Sequence, residues 1–239
     1  MKIYSFDVFD TALTRYLLDP KDLYIVVQRK LRNDNFDIPE KLKNNFYSER
    51  MIAEINARVF SAKEDIVHAD IYAELEKKFK LSKVQSARLM ELENDLEYES
   101  VSPIAWTINA INELREEGHR IIFVSNMYLS SSHIRRLLEK VGAYKEGDGL
   151  YVSGELNATK TTGTIFKYVI EKEGCGYQDL YHIGDNLHCD VYVPSKLGIN
   201  IYKTSYSDIS MVKRWHFFIR FRGRFILLTR ALKALKKGR

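Results

Sequence analysis

Cysteine is almost missing from this chain: Cys175 and Cys189 are the only two among 239 residues. Two thiols, in neither a CxxC nor a Cys/His spacing, exclude a disulfide scaffold and a zinc module and fit a reducing, cytoplasmic setting. No apolar run approaches the roughly 18 residues a membrane span needs. The chain opens directly on a strand-like run, without the basic segment, long apolar stretch and small-residue cleavage site of an export signal, so none is expected. Internal repeats and low-complexity tracts are lacking too, which excludes a solenoid.

What is present describes an ordinary globular protein: 45% apolar and 29% charged residues, in a length that suits one sizeable core plus an insertion or a small second domain. The overall charge of +5 hides an asymmetry. Ten Lys/Arg and no Asp or Glu fall between Met211 and Arg239, so residues 1–210 carry −5. The body is acidic and the tail basic.

Residues 2–6 (KIYSF) read as a short buried strand. From about Pro20 to Tyr98 the chain is charged, lacks strand signals and repeats apolar residues every three or four positions: Leu23, Val26, Val27, Leu31; Met51, Ile52, Ile55, Val59; Ile71, Leu75, Phe79; Leu89, Leu92, Leu96. About four helices fit this block, one of them starting at "LSKVQ" with Ser82 as N-cap. Its charges, such as Lys41, Lys43, Glu49 and Arg50, are expected on solvated faces.

After Pro103 helix-like and strand-like segments alternate. Helices are expected over 104–117, 131–141, 161–173 and 190–197, and strands at "HRIIFVSN", "GLYVSG", "DLYHIGDN" and "INIYKT". That alternation implies a parallel sheet with right-handed crossovers, whose functional groups gather at the strands' carboxyl ends. The first strand belongs to this sheet, and the helical block is inserted.

Three polar clusters then fall at strand ends: Asp7/Asp10/Thr11, Ser125/Asn126, and Asp185/Asn186 with Asp190 beyond. A single aspartate after a strand is commonly a cap or a turn residue. Several acids converging on one sheet edge instead require a counter-charge, for which a hard divalent cation on oxygen ligands and Lys160 are the candidates.

These residues resemble the haloacid dehalogenase-like (HAD) hydrolase superfamily. Its first-strand DxxxT, second-strand Ser/Thr, lysine and fourth-strand GDxxxxD appear here as "DVFDT" (7–11), "VSN" with Ser125, "KTTG" with Lys160 and "GDNLHCD" (184–190). The resemblance covers about residues 1–205. It implies a Rossmann-like α/β core over 1–16 and 100–205, an all-helical cap over 17–99, and a separate basic C-terminal segment, 206–239. It also implies a covalent mechanism. Asp7 would be the nucleophile, forming an aspartyl phosphate. Ser125 and Lys160 would hold phosphoryl oxygens, with Thr11 and Asn126 shaping the phosphate site. Mg²⁺ would bind Asp7, the Phe9 carbonyl and Asp185, with Asp190 supporting from farther out. The opening "FDVFDT" and the "GDNLHCDV" segment are similar to a branch associated with bacterial glycosyltransferase and surface-polysaccharide systems, which suggests a sugar or lipid-linked phosphate.

One position departs from the pattern. Phosphatases of the superfamily usually carry a second aspartate two residues after the nucleophile, and here that residue is Phe9. Either Asp10 after a local twist, His188 or a cap residue such as His68 supplies acid/base catalysis, or the reaction is slow. The superfamily's dehalogenases also place a bulky residue there and have Ser-Asn after the second strand, but they lack the Gly184-Asp185 motif. Metal-free dehalogenation is thus one rival to Mg²⁺-dependent phosphoryl chemistry. A weakly catalytic domain that recruits a partner enzyme is another. Arg15 is either an anion-binding residue or a surface or cap-hinge arginine; His182 reads as a core strand residue.

In the tail, Leu227, Leu228, Ala231, Leu232, Ala234 and Leu235 share one helical side and Arg230, Lys233, Lys236 and Lys237 the other. Such a helix suits an anionic membrane surface, a membrane-associated enzyme at the inner face, or packing on the protein's own core. Nucleic acid is disfavoured by the acidic body.

Overall fold

A computed structural model describes residues 2–17 and 19–202. The expected amphipathic tail and its partners, residues 206–239, lie outside the described residues.

Five parallel strands form the sheet: β1 (Ile3–Phe6), β4 (Arg120–Ser125), β5 (Gly149–Val152), β6 (Leu180–Ile183) and β7 (Asn200–Ile201), in the order β5-β4-β1-β6-β7. Every residue of β1 is buried, and the two faces alternate with period two. Tyr4 and Phe6 pack with Ile121 and Phe123 on one side, while Ile3 joins Ile122, Val124, Ile165 and Phe166 on the other. The first of these layers is closed by α5 (Ala105–Glu116) and α6 (Ser131–Lys140), the second by α8 (Thr164–Glu173). This is a helix-flanked parallel α/β sheet, as the alternation of segments predicts.

The chain leaves and re-enters the sheet through a two-stranded antiparallel ribbon, β2 (Leu13–Arg15) against β3 (Val101–Pro103), with Thr14 opposite Ser102. Between the two lie α1 (Asp22–Asn33), α2 (Glu40–Val59), α3 (His68–Phe79) and α4 (Lys83–Ser100), which share a separate apolar core built on Leu23, Val27, Leu42, Phe46, Ile71 and Leu75. Ser82 caps α4, its Oγ accepting from the Gln85 N–H at 3.2 Å. Among the described residues no helix is long and apolar enough to cross a membrane.

Two expectations about this block fail. The apolar stripe Ile52, Ile55, Val59 faces outward, with Ile55 56% and Val59 68% exposed. The buried face of α2 is instead Leu42, Phe46, Glu49, Arg50, Ala53 and Ala57. Glu49 and Arg50 are therefore interior residues rather than a solvated face. Arg50, wholly buried, donates through Nε and Nη2 to the two Glu93 carboxylate oxygens, both at 2.9 Å, and lies over the rings of Tyr24 and Tyr128. Bidentate pairing and ring stacking satisfy a charge that burial would otherwise forbid.

In the sheet region the differences are local. The helix expected from Thr161 begins at Thr164, because 160–163 form a turn ending at Gly163, whose φ is +82°. The helix expected over 190–197 is a wide turn over Leu187–Tyr192 followed by the short α9 (Val193–Lys196). A final short helix, α7 (Ser153–Leu156), follows β5.

Candidate active site

Register assembles the site. Phe6 lies opposite both Phe123 of β4 and Ile183 of β6, so the next residues, Asp7, Val124–Asn126 and Gly184–Asp185, emerge together at the carboxyl edge. Beyond β1 the strand order diverges to either side, which opens a crevice at this point. The Asp7 N–H donates to Ile183 O at 2.8 Å, tying the loop after β1 to the end of β6.

Lys160 reaches this edge from the turn before α8. Its Nζ donates to Asp7 Oδ1 and to Asp190 Oδ1, both at 2.6 Å, and all three side chains are buried. Its backbone N–H donates to Asn126 Oδ1 at 2.8 Å, so the residue after the second strand positions the lysine-bearing turn. Thr11 Oγ1 donates to Asp7 Oδ2 at 3.2 Å. Asp7, Asp185 and Asp190 each offer an oxygen, and these atoms lie within 4.8 Å of one another. Ser125 is buried at the end of β4.

Burial pushes the Asp7 carboxyl well up, Lys160 pulls it back, and Asp190 and Asp185 push it up again. Burial acts the same way on Asp190, but Lys160 and His182 outweigh it and hold that carboxyl below its ordinary range. Burial would discharge Lys160, yet its two carboxylates keep its pKa above the usual lysine value. One ammonium thus serves two buried carboxylates, with a third nearby. The donor set is all oxygen and compact, which fits a hard divalent cation such as Mg²⁺.

Asp190 is also held from behind. His182 Nε2 is 3.1 Å from Asp190 Oδ1, His182 Nδ1 is 2.9 Å from Ser5 Oγ, and the Asn186 N–H donates to Asp190 Oδ2 at 2.9 Å. His182 is a core strand residue, as expected, but it orients an acid rather than simply filling space. Its signal lay in the strand period, since Ser5 and His182 are register partners, two residues before Asp7 and three before Asp185. Gly184 makes this packing possible, because a Cβ there would overlap the Asp190 side chain.

Asp10, Phe9 and Arg15 occupy the other wall. Asp10 has a φ of +60°, its N–H donates to Leu13 O at 2.6 Å, and its Oδ1 accepts from Thr14 Oγ1 at 2.8 Å. The Arg15 guanidinium carbon sits 4.0 Å from the centre of the Phe9 ring, and Arg15 Nε donates to Glu97 Oε1 at 2.5 Å. Arg15 therefore ties the loop after Asp7 to α4.

A second contact between the helical block and the sheet went unread in the sequence. Glu64 Oε1, in the loop after α2, accepts from the Thr159 N–H at 3.0 Å, Thr159 Oγ1 at 2.8 Å, Thr164 Oγ1 at 2.7 Å and Thr162 Oγ1. Next to it, Asp65 Oδ2 accepts from Ser153 Oγ at 2.5 Å. Gly154 permits the approach, since a Cβ there would collide with Ile66 O. Glu64 thus grips both flanks of Lys160, through a charged residue that no local pattern separates from its exposed neighbours. His68 Nε2 pairs with Glu93 at 3.1 Å inside the helical block, while its backbone N–H donates to Tyr128 O at 2.8 Å in the loop after β4.

No protein-family profile and no curated protein sequence matches the chain. Solved structures do resemble it. A HAD phosphatase from Thermococcus onnurineus is 22% identical, with 83% of this chain and 84% of that one covered and a TM-score of 0.54. A HAD family enzyme from Bacteroides thetaiotaomicron, in complex with magnesium and inorganic phosphate, is 16% identical over 86% and 95% of the two chains, with a TM-score of 0.53. The L-2-haloacid dehalogenase PA0810 is 14% identical over 83% and 82%, also with a TM-score of 0.53. The fold of this chain is HAD-like.

Proposed function

We propose that the protein is a Mg²⁺-dependent hydrolase of a phosphomonoester, with Asp7 as nucleophile and the helices of residues 17–99 as a cap that selects the substrate. The observation that carries this reading is the Lys160 bridge between Asp7 and Asp190, within a cluster of three carboxylates whose oxygens lie within 4.8 Å. An isolated cap or turn aspartate has no need of a buried ammonium and two further acids. The magnesium and phosphate complex of the Bacteroides protein supports the same chemistry for this fold.

In this mechanism a carboxylate oxygen of Asp7 forms a bond to phosphorus while the bond from phosphorus to the leaving oxygen breaks. Water then attacks the aspartyl phosphate, returning the carboxylate and releasing inorganic phosphate. Lys160 favours the ionised form of Asp7 against burial and the neighbouring carboxylates, and Thr11, Ser125 and Asn126 shape the phosphate pocket. Asp7, Asp185 and the Phe9 carbonyl are the residues that would hold the cation, with Asp190 fixed behind them by Lys160, His182 and Asn186. Bound there, Mg²⁺ would supply electrostatic compensation for the phosphoryl charge. Asp10 supports the loop from the ribbon side, and Arg15 tethers it to the cap.

The decisive experiment incubates the protein with Mg²⁺ and a panel of phosphorylated compounds, following phosphate release and intact mass together, with Asp7→Asn alongside. Release, or a phosphoryl adduct, that requires both Mg²⁺ and Asp7 is expected. Halide release from 2-haloacids without metal, and no reaction with any phosphate, would replace this reading with the dehalogenase one.

A further inference from the structure

We propose that the site is built for phosphates whose leaving oxygen departs as a stable anion, acyl phosphates above all, and that alkyl phosphates are poor substrates. The inference rests on the phosphoryl-transfer reading above and adds what leaves.

Among the described residues, Lys160, Thr11, Asp190 and His182 beside Asp7 are already engaged with one another or with Asp7. Lys160 Nζ is bonded to both Asp7 and Asp190, and Thr11 Oγ1 donates to Asp7 itself. Asp190 is engaged through both oxygens, and His182 through both ring nitrogens, by Ser5 on one side and Asp190 on the other. The loop after Asp7 offers Phe9 and Asp10. The Phe9 ring has no proton to give and is held in place by the buried Arg15 stacked on it, which is anchored in turn by Glu97. The Asp10 carboxylate takes the Thr14 hydroxyl, on the ribbon side of the loop. None of these described side chains is placed as a dedicated donor for leaving-group protonation, and a general acid ordinarily contributes about 10²- to 10⁴-fold to such a step.

The chemical consequence depends on the leaving oxygen. An alkoxide must be protonated as it departs, whereas a carboxylate is stable at neutral pH. With an acyl phosphate, Asp7 forms its bond to phosphorus as the phosphorus–acyl oxygen bond breaks. The electron pair stays on the acyl oxygen, which leaves as carboxylate, and no proton moves. One acyl phosphate is exchanged for another on Asp7, so this half-reaction is close to balanced. Attack by water then breaks the bond from phosphorus to Asp7 and passes the water's proton to the departing phosphate or solvent. That second step also lacks a dedicated base, so the aspartyl phosphate accumulates.

Substituted phenyl phosphates test the inference with leaving groups of nearly constant shape, and acetyl phosphate and glycerol phosphate mark the two ends. The full chain with Mg²⁺ is followed by rapid quench, with the phosphoryl adduct read by intact mass. The expected result is a phosphorylated Asp7 from acetyl phosphate, a steep fall in phosphorylation rate from p-nitrophenyl to phenyl phosphate, and glycerol phosphate at least about 100-fold slower than acetyl phosphate. Phe9→Asp should flatten the dependence on leaving group. Glycerol phosphate reacting as fast as acetyl phosphate, or a shallow dependence in the unaltered protein, would overturn this inference while leaving the phosphoryl-transfer reading intact. If no donor gives an adduct or phosphate release, both fall. The leaving-group series on the unaltered protein decides the matter even if Phe9→Asp does not fold.

Discussion

Replacing Arg50 by methionine tests the interior of the helical block, because it removes a charge while roughly keeping the volume. Arg50 is fully buried and makes two 2.9 Å bonds to Glu93 and one of 3.1 Å to Glu54. The substitution leaves Glu93 with only His68 Nε2 at 3.1 Å and Tyr72 OH at 2.8 Å. Breaking a buried pair from one side costs about 3–5 kcal/mol, because the remaining charge stays desolvated. At about 2–4 °C per kcal/mol for a domain of this size, the melting temperature should fall by about 6–20 °C. The pH dependence carries a further sign. Burial alone would raise the Glu93 carboxyl, but Arg50 and His68 hold it below its ordinary 4.5, so the pair stabilises above that pH and is lost as pH falls. In Arg50→Met burial dominates and raises the Glu93 carboxyl, so the variant gains stability as pH falls toward 4.5. The parent protein loses stability only below that pH, so the gap between the two proteins should narrow as pH falls from about 8 to about 4. Urea unfolding between pH 4 and pH 8, followed by circular dichroism, measures both effects. Lys63→Met is the comparison, since the half-exposed Lys63–Asp70 pair is worth at most about 1 kcal/mol. A loss for Arg50→Met as small as that of Lys63→Met, or a gap independent of pH, would refute the assignment.

Three other outcomes follow from the site. Gly184→Ala drives a methyl into the Asp190 side chain and should weaken Mg²⁺ binding by about 10- to 100-fold, measured by titration calorimetry, with the fold retained by circular dichroism. Saturating Mg²⁺ at 100 times its dissociation constant should stabilise the protein by about 2.7 kcal/mol, and Asp185→Asn should abolish that increment in a thermal melt. Glu64→Ala removes the acceptor shared by Thr159, Thr162 and Thr164; hydrogen exchange at the Thr159 amide should accelerate, while global stability changes by no more than about 1 kcal/mol.

The sheet was legible because its strands are short apolar runs bounded by turn residues, and its helices carry clear stops such as Gly118 and Gly174. The three strand-end clusters were legible for the same reason, as polar residues directly after buried runs. The face of α2 was not. Its buried stripe is carried partly by Ala53 and Ala57, which signal weakly, while Ile52, Ile55 and Val59 form a stronger stripe that packs on nothing in the described core. Hydrophobic spacing cannot reveal that a wholly buried arginine completes a face, because that choice depends on Glu93, 43 residues away. The wide turn at 187–192 was hidden in a similar way. Asn186 Oδ1 accepts from both the His188 and Cys189 N–H groups, and Asp190 reaches back to Lys160, so tertiary contacts displace the regular helix that the sequence favours.

The two aspartates of "DVFDT" show how far a motif carries. Both follow one buried strand and both lie beside the same crevice, yet they differ in every contact. Asp7 is tied to the lysine and the acidic cluster, whereas Asp10, at a φ of +60°, turns its carboxylate to the Thr14 hydroxyl of the ribbon leading to the helices. Between them Phe9 carries no charge, but it bears the guanidinium that is bonded to α4. Within four residues the loop thus changes from the carboxylate cluster at Asp7 to mechanical connection at Phe9 and Asp10. A loop that lends its middle to the hinge has fewer positions left for proton transfer. The uncharged ring two residues after Asp7 and the anchoring of the helical block are therefore two results of the same short sequence.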